Sequence, residues 1–360
     1  MRVAMLVPGL SPHDAVSNDA RQMASVLRGA NHEVRLFAPH ARAIDDPVGT
    51  PEEIEGWLQS PRDLLIYHYC VGWEFALALL RRLRVRRIVR YHNITPPEFF
   101  EGWSPGYVSA CAEGRAQLDA FARLDYDLVL GDSAFNIEDF TTRGVDPARC
   151  EVLAPFHEVD ELRTIEADTR RVPLGSPLLL MVGRMSPNKG YLDLIESLAA
   201  CVAGRARDAR LLIIGKLDPN LARYGDAVTA LIADRGLESR VTWLQDAGGA
   251  ELRGAYERAD ALVMLSGHEG FCVPVVEAMA LGTPVIALAS SALPGTLGDA
   301  GLLWENADPH VIAESVARIA DDAPLRNTLR QRGRERYEST FAPSVLGVRL
   351  LDIMQHRFAA

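Results

Sequence analysis

Apolar positions along the chain follow two rhythms, short continuous runs and helical spacing, and the two alternate. Arg2–Val7 is a β-branched and apolar run stopped by Pro8-Gly9, which predicts a buried parallel strand. Beyond the turn-rich loop from Pro8 to Ser17, Met23, Leu27 and Ala30 recur at helical spacing, and Glu33–Phe37 predicts a second strand, so this stretch has the size of one βαβ crossover. Strands are expected at Leu64–Tyr67, Arg87–Tyr91, Leu128–Leu130 and Glu151–Ala154, with helices near Trp73–Leu83 and Glu113–Leu124. Residues 158–176 are charged, lack apolar periodicity and end in Val172-Pro173-Leu174-Gly175-Ser176-Pro177, the composition of a linker. A second series then begins, with strands at Leu178–Val182, Arg210–Ile214, Val241–Leu244, Ala261–Leu265 and Pro284–Ala287. Helical patterns lie between them, near Tyr191–Val202, Leu221–Asp234, Ala250–Glu257 and Val273–Leu281. Two runs of alternating elements predict two doubly wound α/β domains with parallel sheets, 1–170 and 171–340, and a last helix within 341–360.

Composition narrows the function classes. The chain has 360 residues, 48% of them apolar, which suits two domains of ordinary size with full cores. Its formal net charge of −10 has the wrong sign for a general nucleic-acid binder, so any polyanionic ligand must meet a local cation cluster. Cys70, Cys111, Cys150, Cys201 and Cys272 form no C-x-x-C pair and signal neither a zinc site nor a disulfide framework. MRVAMLVPGL lacks the long apolar core of a leader, and no run reaches membrane-spanning length; a cytoplasmic, soluble chain is the expectation.

In open α/β sheets ligands bind beyond the carboxyl ends of the strands. Those ends carry Gly9, His68, His92-Asn93 and Asp132-Ser133 in the first half, and Gly183-Arg184, Gly215-Lys216 and Ser266–Gly270 in the second. Arg184 and Lys189 flank a turn in VGRMSPNKG that opens a helix, so one phosphate could meet both cations and the helix amides. In GHEGFCVPVVEAMALGTPVI, Glu269 lies in a loop and Glu277 eight positions on, within a helix that Pro274 helps to start. A carboxylate there can accept from paired ribose hydroxyls, while the amides of Gly270, Phe271, Cys272 and Val273 face outward at the helix start. Together they suit a nucleoside diphosphate carrying a sugar.

HEGFCVPVVEAM followed by LG and PVI, together with VGRMSPNKG and the terminal helix, resembles the retaining glycosyltransferases of family 4, marked by a Glu-x7-Glu motif. YHNITPPEFF (91–100) and segments of 6–39 are similar to one subgroup of that family. The resemblance implies the GT-B fold, two facing Rossmann-like domains with a cleft between them, the first binding acceptor and the second nucleotide sugar. It also implies that the last helix crosses back to the first domain. Arg184 and Lys189 match the pair that holds the diphosphate, Glu277 the ribose ligand, Glu269 the residue facing the transferred sugar, and His92 a histidine near the sugar and the reaction centre. The implied chemistry is metal-independent front-face transfer of a hexose to a hydroxyl of a glycan, glycolipid or small molecule. The nucleotide sugar is then a co-substrate, no cofactor is required, and GDP-mannose is preferred to UDP-sugars by the subgroup likeness. Mannosyltransferases of polysaccharide biosynthesis are the implied class.

The chain departs from that pattern in two places. The first loop lacks a Gly-Gly pair, leaving Gly9, Asp14 and Asn18 as acceptor contacts or plain turn and N-cap residues. Cys272 stands where glycine is frequent, and reads as a buried thiol rather than a nucleophile. Asp125-Tyr126-Asp127 precedes its strand instead of following it, and so reads as solvation rather than a metal motif; Asp45-Asp46 is a loop pair. Arg81, Arg82, Arg84, Arg86, Arg87 and Arg90 have two readings: complements to a helix dipole and strand edge, or a peripheral contact with anionic lipid at the inner face of the membrane or with a lipid-linked acceptor. A nucleotide-sugar epimerase and a non-catalytic nucleotide-sugar-binding protein stay as alternatives. A dehydrogenase is disfavoured, because the first loop lacks G-x-G-x-x-G.

Overall fold

Continuous apolar runs need cover on both faces, and the computed structural model, which describes residues 1–12 and 14–358, supplies it twice. One unit comprises Met1–Pro97, Ser109–Glu158 and the segment from Ala342; the other comprises Glu98–Val108 and Val159–Phe341.

The first unit holds strands β1 (Arg2–Leu6), β2 (Glu33–Phe37), β3 (Val48–Gly49), β4 (Leu64–Tyr69), β5 (Arg86–Tyr91), β6 (Leu128–Gly131) and β7 (Cys150–Val152). They pair in parallel in the order β3-β2-β1-β4-β5-β6-β7. Successive side chains of a strand point to opposite faces. Val3 and Met5 therefore join one apolar cluster with Met23 and Leu27, while Ala4 and Leu6 join another with Leu77, Leu118 and Phe121. The terminal helix Pro343–Phe358 packs into the first of these clusters through Leu346, Leu350, Ile353 and Met354. Its end is held where Arg86 donates to the carbonyl of Phe358 at 2.6 Å.

The second unit holds β8 (Leu178–Val182), β9 (Arg210–Ile214), β10 (Val241–Leu244), β11 (Ala261–Met264), β12 (Val285–Leu288) and β13 (Leu302–Trp304), again all parallel, in the order β10-β9-β8-β11-β12-β13. Both strand orders reverse once, between β1 and β4 and between β8 and β11. There the connections leave toward opposite faces and open a crevice at the carboxyl ends.

Several expectations are corrected. The stretch expected as a linker contains a helix, Val159–Thr164, which buries Val159 and Leu162 one turn apart; two apolar residues among charges are too short a pattern to register as periodic. The division between units falls at 158/159, where the sequence placed it at 170. Residues 98–108, expected within the first domain, belong to the second unit. There Trp103 packs edge-on to Tyr224 at 5.1 Å, and Tyr107 Oη donates to Asp218 Oδ2 at 2.6 Å. Strand β4 runs on to Tyr69, which puts His68 inside it. Strands β3 and β13 and the helices Pro309–Asp321 and Ala323–Arg336 had no counterpart in the expected series. Among the described residues no helix is long and apolar enough to cross a membrane.

Gly190 shows how tightly the second crevice is built. It starts the helix Tyr191–Ala203 with φ +71°, and a Cβ there would lie 2.1 Å from the Leu265 carbonyl oxygen. Gly190→Ala is expected to cost at least about 2 kcal/mol, from the left-handed backbone and the clash together. Chemical denaturation of the variant checks this, and an unchanged midpoint contradicts it.

Candidate functional site

Each unit gathers its polar side chains at its own reversal point. In the second, the turn after β8 and the loop after β11 are stitched together. Asn188 Nδ2 donates to the His268 carbonyl at 3.1 Å, Gly267 N donates to the Asn188 carbonyl at 2.9 Å, and Ser186 Oγ holds Asn188 Oδ1 at 2.6 Å. This lock brings Lys189 Nζ to 2.6 and 2.9 Å from the two oxygens of Glu269. Both side chains are mostly covered, and Ser291 Oγ accepts from the Glu269 amide at 2.8 Å. Burial disfavours the Lys189 charge, but the Glu269 carboxylate outweighs it and holds the ammonium above its ordinary pKa. Arg184 lies on the same turn with its side chain exposed. The expected cation pair is thus divided, with Lys189 bound to Glu269 and Arg184 turned to solvent.

The helix Val273–Leu281 starts at Cys272, whose φ of +82° lies in the left-handed region. This gives a physical reason for the frequent glycine: the backbone, more than the side chain, determines what fits. Burial pushes the Cys272 thiol well above its ordinary pKa, which keeps it from acting as a thiolate. The side chain of Phe271 turns into the core, its ring 5.5 Å from Phe341, while its carbonyl accepts from Thr296 at 2.7 Å; only its backbone remains at the loop. Glu277 is partly exposed, and its Oε2 accepts from Tyr256 Oη at 2.6 Å. Burial raises the Glu277 pKa and the Tyr256 hydrogen bond only partly offsets it. The phenol anchors one carboxylate oxygen, which aims the other.

In the first unit the crevice contains a buried charge network. Arg90 is fully buried: Nε and Nη2 meet Asp19 at 2.9 and 3.2 Å, Nη2 pairs with Asp132 Oδ1 at 2.9 Å, and Nη1 donates to the Leu153 carbonyl at 2.6 Å. His92, directly after β5, places Nδ1 3.0 Å from Asp132 Oδ2 and Nε2 2.9 Å from His68 Nδ1. The two imidazoles lie edge to edge, their centroids 5.2 Å apart and their planes 14° from parallel. Asp19 also accepts from the Phe156 amide at 2.8 Å; burial raises its pKa, but Arg90 foremost among its neighbours outweighs this and leaves it lowered. Asp19, His68 and His92 are spaced closely enough to hold a metal ion, although Arg90 already neutralises the one carboxylate of that trio.

Sequence reasoning missed Asp19 and the partnership of Arg90 with two acids. Arg90 therefore leaves the proposed surface cluster. Arg86 and Arg87 bind the carbonyls of Phe358 and Leu80, and Arg82 pairs with Glu55, so only Arg81 and Arg84 of the six show no such bond among the described residues. Asp14 is the N-cap of the helix Ala15–Gly29, accepting from Ser17 N at 2.9 Å and Ser17 Oγ at 2.7 Å, which is the structural one of its two expected roles. Gly9 has open space around it, with one backbone atom at 4.0 Å from a built Cβ, and Asn18 is half-buried on the first turn of that helix.

Comparison with known proteins adds to this geometry. The family model described as glycosyl transferases group 1 matches residues 163–336. A D-inositol 3-phosphate glycosyltransferase of Corynebacterium glutamicum is 33% identical over 193 residues, covering 50% of this chain and 46% of that protein. The chain spans about half the length of the curated relatives it matches. Among solved structures, sucrose-phosphate synthase from Thermosynechococcus elongatus has TM-score 0.79 and 21% identity over 99% of each chain. Anabaena HepE in complex with UDP and glucose has TM-score 0.78 and 17% identity, covering 99% of this chain and 100% of that one. The fold is accordingly α/β of the GT-B type.

Two outcomes follow from the local physics. Cys272→Gly is expected to stay within about 1 kcal/mol of the parent, relief of strain offsetting lost burial, whereas Cys272→Val should cost about 2 kcal/mol or more, because a β-branched side chain is poorly tolerated at positive φ. Urea titration of both variants separates them, and equal midpoints contradict the assignment. Arg90→Leu strands two buried carboxylates and is expected to cost about 3–5 kcal/mol. The loss should be complete at neutral pH and shrink in acid, because Asp19, with its pKa lowered from 3.8, contributes its stabilisation above that unfolded value and loses it as pH falls through the lower folded one. A thermal melt of Arg90→Leu indistinguishable from the parent at pH 7 rules this out.

Proposed function

We propose that the chain, whose residues 163–336 match the group 1 glycosyl transferases, is a retaining hexosyltransferase using a nucleotide-diphosphate sugar. The observation that carries the proposal is the coincidence, at the reversal point of the second sheet, of the Lys189–Glu269 pair with the tethered Glu277 carboxylate. Glu277 is assigned to the ribose hydroxyls: its Oε2 is held by Tyr256, which leaves the carboxylate oriented to accept. Arg184 is assigned to the diphosphate, its exposed guanidinium offering a fork to phosphate oxygens. Lys189 shares that anion while keeping Glu269 in place for the hydroxyls of the transferred sugar. The positive charge offsets what builds up on the leaving diphosphate, the role that such fixed cations fill in group transfer.

Transfer on the face from which the diphosphate leaves lets a phosphate oxygen take the acceptor proton. His92 then serves best as a hydroxyl acceptor that orients the sugar, a role for which proton abstraction is unnecessary. The proposal assigns no step to a metal ion. GDP-mannose and UDP-sugars are the donor classes it covers. Anabaena HepE is a complex with UDP and glucose, and the Corynebacterium relative is named for glycosyl transfer involving inositol 3-phosphate. Hydroxyls of glycans, glycolipids and polyols are the acceptors to be tried.

Calorimetric titration with a panel of nucleotide sugars checks the assignment. Arg184→Ala and Glu277→Ala are each expected to weaken binding of the best ligand at least about tenfold, that is ~1.4 kcal/mol or more. Unchanged affinity in both variants would falsify the site.

A further inference from the structure

One proton lies between His68 Nδ1 and His92 Nε2, and the surroundings decide which nitrogen carries it. His92 Nδ1 faces Asp132 Oδ2 at 3.0 Å, and Asp132 is ion-paired through its other oxygen to Arg90 Nη2 at 2.9 Å. An ionised carboxylate only accepts, so His92 Nδ1 is the donor. Between the rings, His92 Nε2 and His68 Nδ1 lie 2.9 Å apart, close enough for one hydrogen. His68 Nε2 is buried without a hydrogen-bond partner among the described residues. If His68 accepted at Nδ1, Nε2 would carry a stranded N–H; if His68 donates from Nδ1, Nε2 is only an idle lone pair. Orphaned buried donors are rarer than under-used acceptors. Burial also holds the His68 pKa well below the ordinary imidazole range, so the ring is uncharged and has a single N–H to place.

That hydrogen has a second acceptor within reach. Asp19 Oδ2 lies 3.6 Å from His68 Nδ1 and 3.7 Å from His92 Nε2, anchored by Arg90 and the Phe156 amide. A small rotation of the His68 ring transfers its donor from His92 to Asp19 and breaks no other hydrogen bond, because Nε2 makes none.

Resting on the sugar-transfer reading above, we propose that His68 is a positioning residue for His92: it occupies Nε2 in the substrate-free protein and yields it to a substrate hydroxyl by turning its Nδ1–H to Asp19. His92 then receives the hydroxyl with its ring already fixed by Asp132. No atom of His68 touches the substrate. The chain Asp132, His92, His68, Asp19 thus keeps a strong acceptor dry until a donor arrives. A direct ring contact with the hydroxyl, with no partner exchange, would require a free nitrogen that His92 does not have.

The test uses the full chain and has two arms. Long-range nitrogen–proton NMR of protein labelled at histidine reads the tautomers without reference to activity. Both His68 and His92 should be Nδ1–H tautomers in the substrate-free protein, and titration with the best nucleotide sugar should shift His92 Nε2 while His68 Nδ1 stays protonated. An Nε2–H form of His68, or a doubly protonated His92, overturns the proposal even if sugar transfer is confirmed. In the kinetic arm, His68→Phe keeps a planar ring at this position but removes the donor, and should lower kcat about tenfold with the donor KM changed less than about threefold. His68→Asn, which retains a donor near the Nδ1 position, should recover most of the loss. Equal kcat in the parent and His68→Phe overturns it. Absence of any transfer by the parent defeats the functional reading, and the NMR arm then decides the tautomer claim by itself.

Discussion

A parallel sheet whose strand order reverses cannot cover the carboxyl ends of the two strands at the reversal, because the connections that follow them depart to opposite faces. Both of the polar clusters described above depend on that constraint. In the second unit the turn after β8 and the loop after β11 meet there, and their backbones hydrogen-bond to one another before any side chain is considered. Lys189 and Glu269 are paired because their backbones are already adjacent. In the first unit the same reversal places the helix after β1, carrying Asp19, next to His68 of β4 and the residues just beyond β5.

Charge then has to be balanced where water is excluded. Arg90 lies between two carboxylates and a backbone carbonyl, and both its acids are further tied, one to an amide and one to an imidazole. A buried pair of this kind contributes less to stability than its distances suggest, since desolvation consumes most of the attraction; its effect is to allow one arrangement and penalise the rest. Lys189 and Glu269 follow the same rule with one difference: Arg184, on the same turn, is left in solvent. The turn after β8 therefore sets a compensated pair beside an exposed cation, a distribution that suits an anionic ligand.

Much of this was legible in the sequence, and what was not has specific causes. The boundaries of β8 and of Val273–Leu281 were read as found, because an apolar run closed by Gly183 and a helix opened by Pro274 and closed by Gly282 have unambiguous ends. Arg90 fits neither reading of the arginine cluster, helix-dipole and strand-edge complement or anionic-surface contact, because it is fully buried between two acids. The period of a strand puts it on the same face as Ile88, which is buried, and this was the available signal. Asp19 lies four positions before Met23 on the apolar stripe of its helix, an acid on a buried face that only a buried cation could justify. The membership of residues 98–108 in the second unit had no sequence signal. It rests on Phe99, Trp103 and Tyr107 meeting His268, Tyr224 and Asp218 across long sequence separations.

The central claim is that the reversal point of the second sheet holds a nucleotide-diphosphate sugar by its ribose and its phosphates. The most direct measurement is a crystal structure of the full chain with the tightest-binding nucleotide sugar of the panel. Ribose hydroxyls are expected against the Glu277 carboxylate, and the diphosphate against Arg184 and the turn ending at Lys189. A well-occupied ligand elsewhere on the chain, with Glu277 and Arg184 untouched, would contradict the claim.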